Sequence, residues 1–160
     1  MGNGKKRNGY TLVELITVVV IIGLLTLASL PAFNNMRKGA RLKASARRVT
    51  SALRYARRLA ITMNSIYSVA FNQTNNTFGV INGFSGSDTI EKRFSLDETI
   101  SFDSDGYPIK NFPNDIVQFK PNGSANRKGT IWIKSTDGSY FHITVVNTSG
   151  RTRIYPGATH

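Results

Sequence analysis

Residues 12–30 form an apolar run that carries one ionisable side chain, Glu14. The run is long enough for a membrane helix, which takes about 20 apolar residues at ~1.5 Å rise each. Lys5, Lys6 and Arg7 stand before it, and a basic flank orients the amino terminus toward the cytoplasm. A secretory signal has a shorter apolar core followed by a small-residue cleavage site, and 27–32 is a weak site of that kind. A plain membrane anchor explains the length and the flank but not a carboxylate at position 14. An unpaired charge in lipid is costly, so Glu14 needs a partner.

The words Gly9-Tyr10-Thr11-Leu12-Val13-Glu14-Leu15 closely resemble the class III signal of type IV pilins and pseudopilins, and Pro31 after the apolar run fits the same family. The resemblance implies that a prepilin peptidase cuts between Gly9 and Tyr10 and methylates the new amine. Tyr10 stands where the family usually has Phe. Glu14 becomes the fifth mature residue, at a membrane depth close to the Tyr10 amine. The two charges tolerate lipid as a pair, within one chain or between neighbouring subunits, and the family implies the intersubunit pair during assembly. The implied location is the bacterial inner membrane, as a single-pass protein, and then a filament with the globular part outside the cytoplasm. The implied partners are the peptidase and other pilin subunits.

At 160 residues the chain has room for one modest domain beyond the apolar run. Without cysteine that domain holds by packing and β-pairing, and a disulfide-free chain is compatible with an extracytoplasmic place. The formal charge is +12, and loss of Lys5, Lys6 and Arg7 with the leader leaves +9. The excess is concentrated in two segments. Residues 37–58 hold nine Lys and Arg and no acid, and from Ile116 onward Lys120, Arg127, Lys128, Lys134, Arg151 and Arg153 face only Asp137.

Leu42, Ala46, Val49, Leu53, Ala56, Ala60 and Met63 recur at steps of four and three, which is one stripe on an α-helix. The spacing predicts one long helix through 63, with Pro31 and Gly39 as places for a bend. Most of its cations lie off the stripe, which suits a solvated flank or contact with anionic lipid better than direct nucleic-acid binding. Short alternating segments then predict strands at 66–71, 77–81, 93–96, 99–102, 116–120, 130–134, 140–146 and 152–155. Residues 83–87 read as an exposed loop, 103–108 as a turn with incomplete calcium-loop spacing, and Asp137-Gly138 as a hairpin turn. The parts are a leader at 1–9, a membrane or filament-core helix at 10–33, an amphipathic helix at 34–63 and an antiparallel β domain at 64–160. The fold class is α+β, a long amino-terminal helix packed on antiparallel sheet.

Leu53-Arg54-Tyr55-Ala56-Arg57, Phe119-Lys120-Pro121-Asn122-Gly123-Ser124, Ile131-Trp132-Ile133 and the run from Ile143 through Gly150-Arg151-Thr152-Arg153-Ile154 resemble the GspH/FimT-type minor pilins. Gly150 permits a turn out of one strand. If 151–155 is extended, Arg151 and Arg153 share a face ~6–7 Å apart and grip successive phosphates. Tyr155 on that face can stack on a base or ribose, and Lys134, Arg127 and Lys128 widen the positive surface if the loops converge. The resemblance to FimT-type pilins of naturally transformable bacteria implies sequence-independent DNA binding by this motif. Two solubilising arginines on an edge strand are the plainer explanation.

Other chemistries find little support. His142 and His160 are the only histidines, and no P-loop, nucleophile elbow or metal-ligand spacing occurs. No enzymatic activity, cofactor or metal is expected. Two function classes remain: a DNA-binding minor pilin for uptake in transformation, and a scaffold without nucleic-acid binding, either a type II secretion pseudopilin or a pilus-assembly initiator.

Overall fold

The computed structural model describes residues 10–84, 89–102 and 109–157, with the side chains of 28–35 not among those described. The leader at 1–9, most of the loop at 83–87 and the turn at 103–108 lie outside the described residues, as does His160. The chain divides into two compact units, Met1–Arg37 and Lys38–His160.

One α-helix, α1, spans Leu12–Thr62 and includes Pro31 and Gly39. Thr11 caps it: its Oγ1 accepts from the Glu14 N–H at 3.2 Å. Thr11 and Glu14 thus hold the capping-box positions, so the helix start itself gives Glu14 a local use beside the one the resemblance implies. Within the apolar part, the Thr17 and Thr26 hydroxyls donate to the carbonyls of Val13 and Ile22, both at 2.8 Å, so they need no water. The large apolar side chains of residues 12–27 are each at least half exposed, which calls for lipid or neighbouring subunits around them. Among the described residues, no helix is long and apolar enough to cross a membrane. The run's side chains are described only to Leu27, short of its end at Leu30. The helix ends where Asn64 takes φ +47° and the Ser65 N–H reaches back to the Ala60 carbonyl, a left-handed cap.

In the second unit the helix stripe is buried as its spacing predicts: Leu42, Ala46, Val49, Leu53, Ala56 and Ala60 are at most 1% exposed, and Ala52, outside the expected stripe, is buried with them. Met63 departs from the expectation. It lies past the last helical residue and is exposed.

Nine strands follow among the described residues, all pairing antiparallel. β1 (Tyr67–Asn72), β2 (Thr77–Asn82), β3 (Ile90–Ser95) and β6 (Ile116–Phe119) form one sheet in the order β3-β2-β1-β6. β7 (Gly129–Ser135), β8 (Tyr140–Val145) and β9 (Thr152–Pro156) form the second, with β4 (Ile100–Ser101) and β5 (Ile109–Lys110) both pairing with β7. β3 starts earlier than the alternation predicts because its first half is Ile90, Glu91 and Lys92 on an exposed edge, where charge rather than alternation protects the strand. β5 escapes the sequence reading because two residues carry no period. Val69, Phe71, Phe78 and Val80 of the first sheet and Ile131, Ile133, Ile143 and Val145 of the second join the helix stripe in one core. Every buried residue among those described belongs to Lys38–His160, so this unit has what it needs to fold by itself.

Candidate nucleic-acid interface

The turn from β8 into β9 is built by backbone hydrogen bonds. The Gly150 N–H donates to the Val146 carbonyl at 2.8 Å, and the Val146 N–H donates to the Arg151 carbonyl at 2.9 Å. Closing it requires a left-handed residue at 150, and Gly150 has φ +60°. The turn packs against two other parts of the unit. An ideal Cβ on Gly150 would stand 2.2 Å from the Gly123 carbonyl oxygen and 2.9 Å from Arg57 Nε. Arg57 Nε donates to that same Gly123 carbonyl at 2.9 Å, and the Ala125 N–H donates to the Asn147 carbonyl at 2.8 Å. One turn further back on the helix, Arg54 Nε reaches Thr152 Oγ1 at 3.4 Å. Two helix arginines thereby fix the strand turn. Arg57 thus departs from the reading of the helix cations as an exposed flank, being half-buried structural anchorage, while the other Lys and Arg of residues 37–58 are exposed as that reading expects.

Beyond the turn, exposure alternates. Arg151 is exposed, Thr152 is buried, and Arg153 is exposed. Alternation places the two guanidinium-bearing residues on one side of the chain, with Cα atoms roughly 6–7 Å apart. Arg151 itself precedes β9, joined to the ladder by its carbonyl. Among the described residues neither arginine pairs with a carboxylate; the ion pair seen is Arg41 with Asp97 at 3.7 Å.

The register fixes what surrounds them. Inward residues of β7 and β8 fill the core, leaving Thr130, Trp132 and Lys134 of β7 and Tyr140, His142 and Thr144 of β8 on the outer face. Arg153 pairs with Thr144, which pairs with Thr130, which pairs with Lys110. Tyr155 pairs with His142, which pairs with Trp132. The second row is a ring ladder: Trp132 to His142 is 4.8 Å between centroids, and His142 to Tyr155 is 5.1 Å at 18°. Tyr140 flanks Trp132 at 5.5 Å.

Arg127 and Lys128 are exposed just before β7, at the sheet end where Gly129, Val145 and Thr152 align, so they lie on the side of the Gly150 turn. Lys134 is at the other end of β7, opposite Tyr140. It belongs to the outer face but is separated from the Arg153 row by four residues of β8, roughly 13 Å at 3.3 Å per residue. Tyr155 shares the outer face with Arg153. Of the processing and assembly residues, Gly9 lies outside the described residues, while Tyr10 and Glu14 are exposed. Sequence reasoning missed Arg54, Arg57, Lys110, Trp132, Tyr140 and His142. For the aromatic residues a signal existed: alternation in β7 and β8 on either side of Asp137-Gly138 puts them all on one face. Among the described residues no group of His, Asp or Glu could hold a metal ion.

Burial pushes the His142 imidazole below its ordinary pKa of 6.5, and its Nδ1 is enclosed without a hydrogen-bond partner. The unfolded chain therefore takes up the proton first as pH falls. The stability associated with this group is whole above the ordinary imidazole value and is lost on acidification through it. A thermal melt of residues 38–160 is expected to lose stability between about pH 7.5 and about pH 5.5. A His142→Phe variant, which keeps a ring in the ladder, is expected to show a flatter dependence; equal pH slopes would refute the assignment.

A prokaryotic N-terminal methylation motif matches residues 4–30. No curated protein matches the sequence significantly. The chain is similar in structure to the minor pseudopilin EpsH of the Vibrio cholerae type 2 secretion system, at TM-score 0.55 and 16% identity over 72% of this chain and 97% of that one. It is similar to the type IV minor pilin FimU of Pseudomonas aeruginosa, at TM-score 0.57 and 16% identity over 76% and 92% of the two chains. Escherichia coli GspH gives 0.52 and 15% over 73% and 89%. At these identities the likeness is one of fold. The chain thus joins an N-terminal methylation motif to the α+β fold of the GspH/EpsH and FimU minor pilins and pseudopilins.

Proposed function

We propose that this chain is a minor type IV pilin that binds extracellular DNA, without reading its sequence, during uptake for natural transformation. In this reading the peptidase cuts after Gly9, Glu14 pairs with a terminal amine as subunits leave the inner membrane, and the β domain ends up outside the cytoplasm. The methylation motif and the exposed apolar helix at 12–27 support that route.

The observation that carries DNA binding is the alternation at the Gly150 turn: two exposed arginines, without acid partners among the described residues, flank a buried threonine on a turn anchored from behind by Arg57. Fixed guanidinium forks at that spacing suit successive phosphates, and Arg127 and Lys128 add charge at the same sheet end. Phosphate contacts carry no base information, so binding is indifferent to sequence.

A second reading is a structural pseudopilin, supported by the likeness to a secretion-system protein. The two separate in an NMR titration of residues 38–160 with a short DNA duplex. The expected result is shifts centred on Arg151, Thr152, Arg153, Arg127 and Lys128. Shifts confined to the exposed cations of α1 would move DNA binding from the turn to the helix, and no shifts at all would leave the scaffold reading.

A further inference from the structure

We infer that the outer face of the β7-β8-β9 sheet holds the bases of single-stranded DNA, with the ring of Tyr155 as the stacking surface. The inference rests on the proposed DNA-binding reading and specifies which form of DNA the site takes.

Tyr155 ends a column of three rings. His142 lies against one side of it at 5.1 Å and 18°, and Trp132 backs His142 at 4.8 Å. β9 is the edge strand of its sheet, so among the described residues no strand covers the other side of Tyr155, and the residue is 39% exposed. A ring stacked on His142, which Trp132 backs in turn, loses little freedom when a fourth ring joins the column. Burial keeps His142 neutral, so the column backing Tyr155 carries no charge at ordinary pH.

The cations complete the site. Arg153 stands two residues before Tyr155 on the same strand and the same side, and Lys110 and Lys134 lie at two other corners of the face. No carboxylate is present among the described residues of this face. A polyanion with flat rings matches that pattern. In a duplex each base already stacks on its neighbours, and its faces are closed to a protein sheet. An unpaired strand offers a base to Tyr155 and its adjoining phosphates to Arg153 and Arg151 together.

The test compares three probes of equal phosphate count on residues 38–160 at one ionic strength: oligothymidylate, an abasic deoxyribose-phosphate strand, and a duplex. Oligothymidylate is expected to bind on the order of tenfold tighter than the abasic strand. Tyr155→Ala is expected to erase that preference and Tyr155→Phe to keep it; the residue is on an exposed edge, so both variants fold. Equal affinity for base-bearing and abasic strands overturns the base site, and if that binding still depends on Arg151 and Arg153 the phosphate reading stands. Tighter binding to the duplex than to oligothymidylate also overturns it. Failure of all three probes to bind removes both readings.

Discussion

Replacing Gly150 with alanine is expected to destabilise the Lys38–His160 unit by roughly 3 kcal/mol, the sum of a left-handed backbone strain and an overpacked contact. The backbone at 150 sits at φ +60°, where a side chain is strained. The added methyl carbon also meets the Gly123 carbonyl oxygen at 2.2 Å. That oxygen cannot retreat cheaply. It accepts from Arg57 Nε, and its loop is pinned by the Gly123 N–H on the Lys120 carbonyl at 2.8 Å. Gly138 supplies the control. Its φ is +87°, but a methyl there meets nothing within 4 Å, so Gly138→Ala carries the strain alone, about 1 kcal/mol. Urea melts of the two variants measure the difference. Equal, small losses would mean that the Gly150 turn is not clamped between helix and loop.

That clamp marks where sequence reading stops. The helix stripe was legible because each buried position obeys a local period, and it failed at Met63, where the cap formed at Asn64 instead. The Asp137-Gly138 hairpin was legible because turn chemistry is local: the Asp137 carboxylate accepts from the Ser139 N–H at 2.9 Å, and Gly138 takes the positive φ. Arg57 was not. Its partner is 66 residues away, and nothing in its own neighbourhood distinguishes it from Arg58, which stays exposed. The separation of Lys134 from Lys128 was legible in principle. They lie at opposite ends of β7, and an extended strand of that length holds its ends apart. The ring ladder needed more than alternation, because the pairing of Trp132 with His142 and of His142 with Tyr155 depends on loop lengths that set the register.

The second large effect concerns the two arginines of the Gly150 turn. Arg151→Gln together with Arg153→Gln removes the two charge-assisted phosphate contacts of the proposed DNA site, and DNA affinity at low salt is expected to fall about tenfold or more after allowing for the solvent around exposed guanidiniums. Stability should be unchanged, since both side chains are exposed and Thr152, the buried residue between them, stays. The loss should shrink as salt rises, because each neutralised phosphate contributes ~0.9 to the log–log salt slope. Arg41→Gln with Arg47→Gln, exposed positions on α1, tests the competing location for the positive surface.

The most direct measurement is therefore the dependence of duplex-DNA affinity on salt for residues 38–160, the turn variant and the helix variant. The turn variant is expected to lower the slope by about 1.8, the loss of two phosphate contacts, while the helix variant leaves it near the original. An unchanged slope in the turn variant would contradict the account, and a lowered slope in the helix variant alone would move DNA binding away from the Gly150 turn.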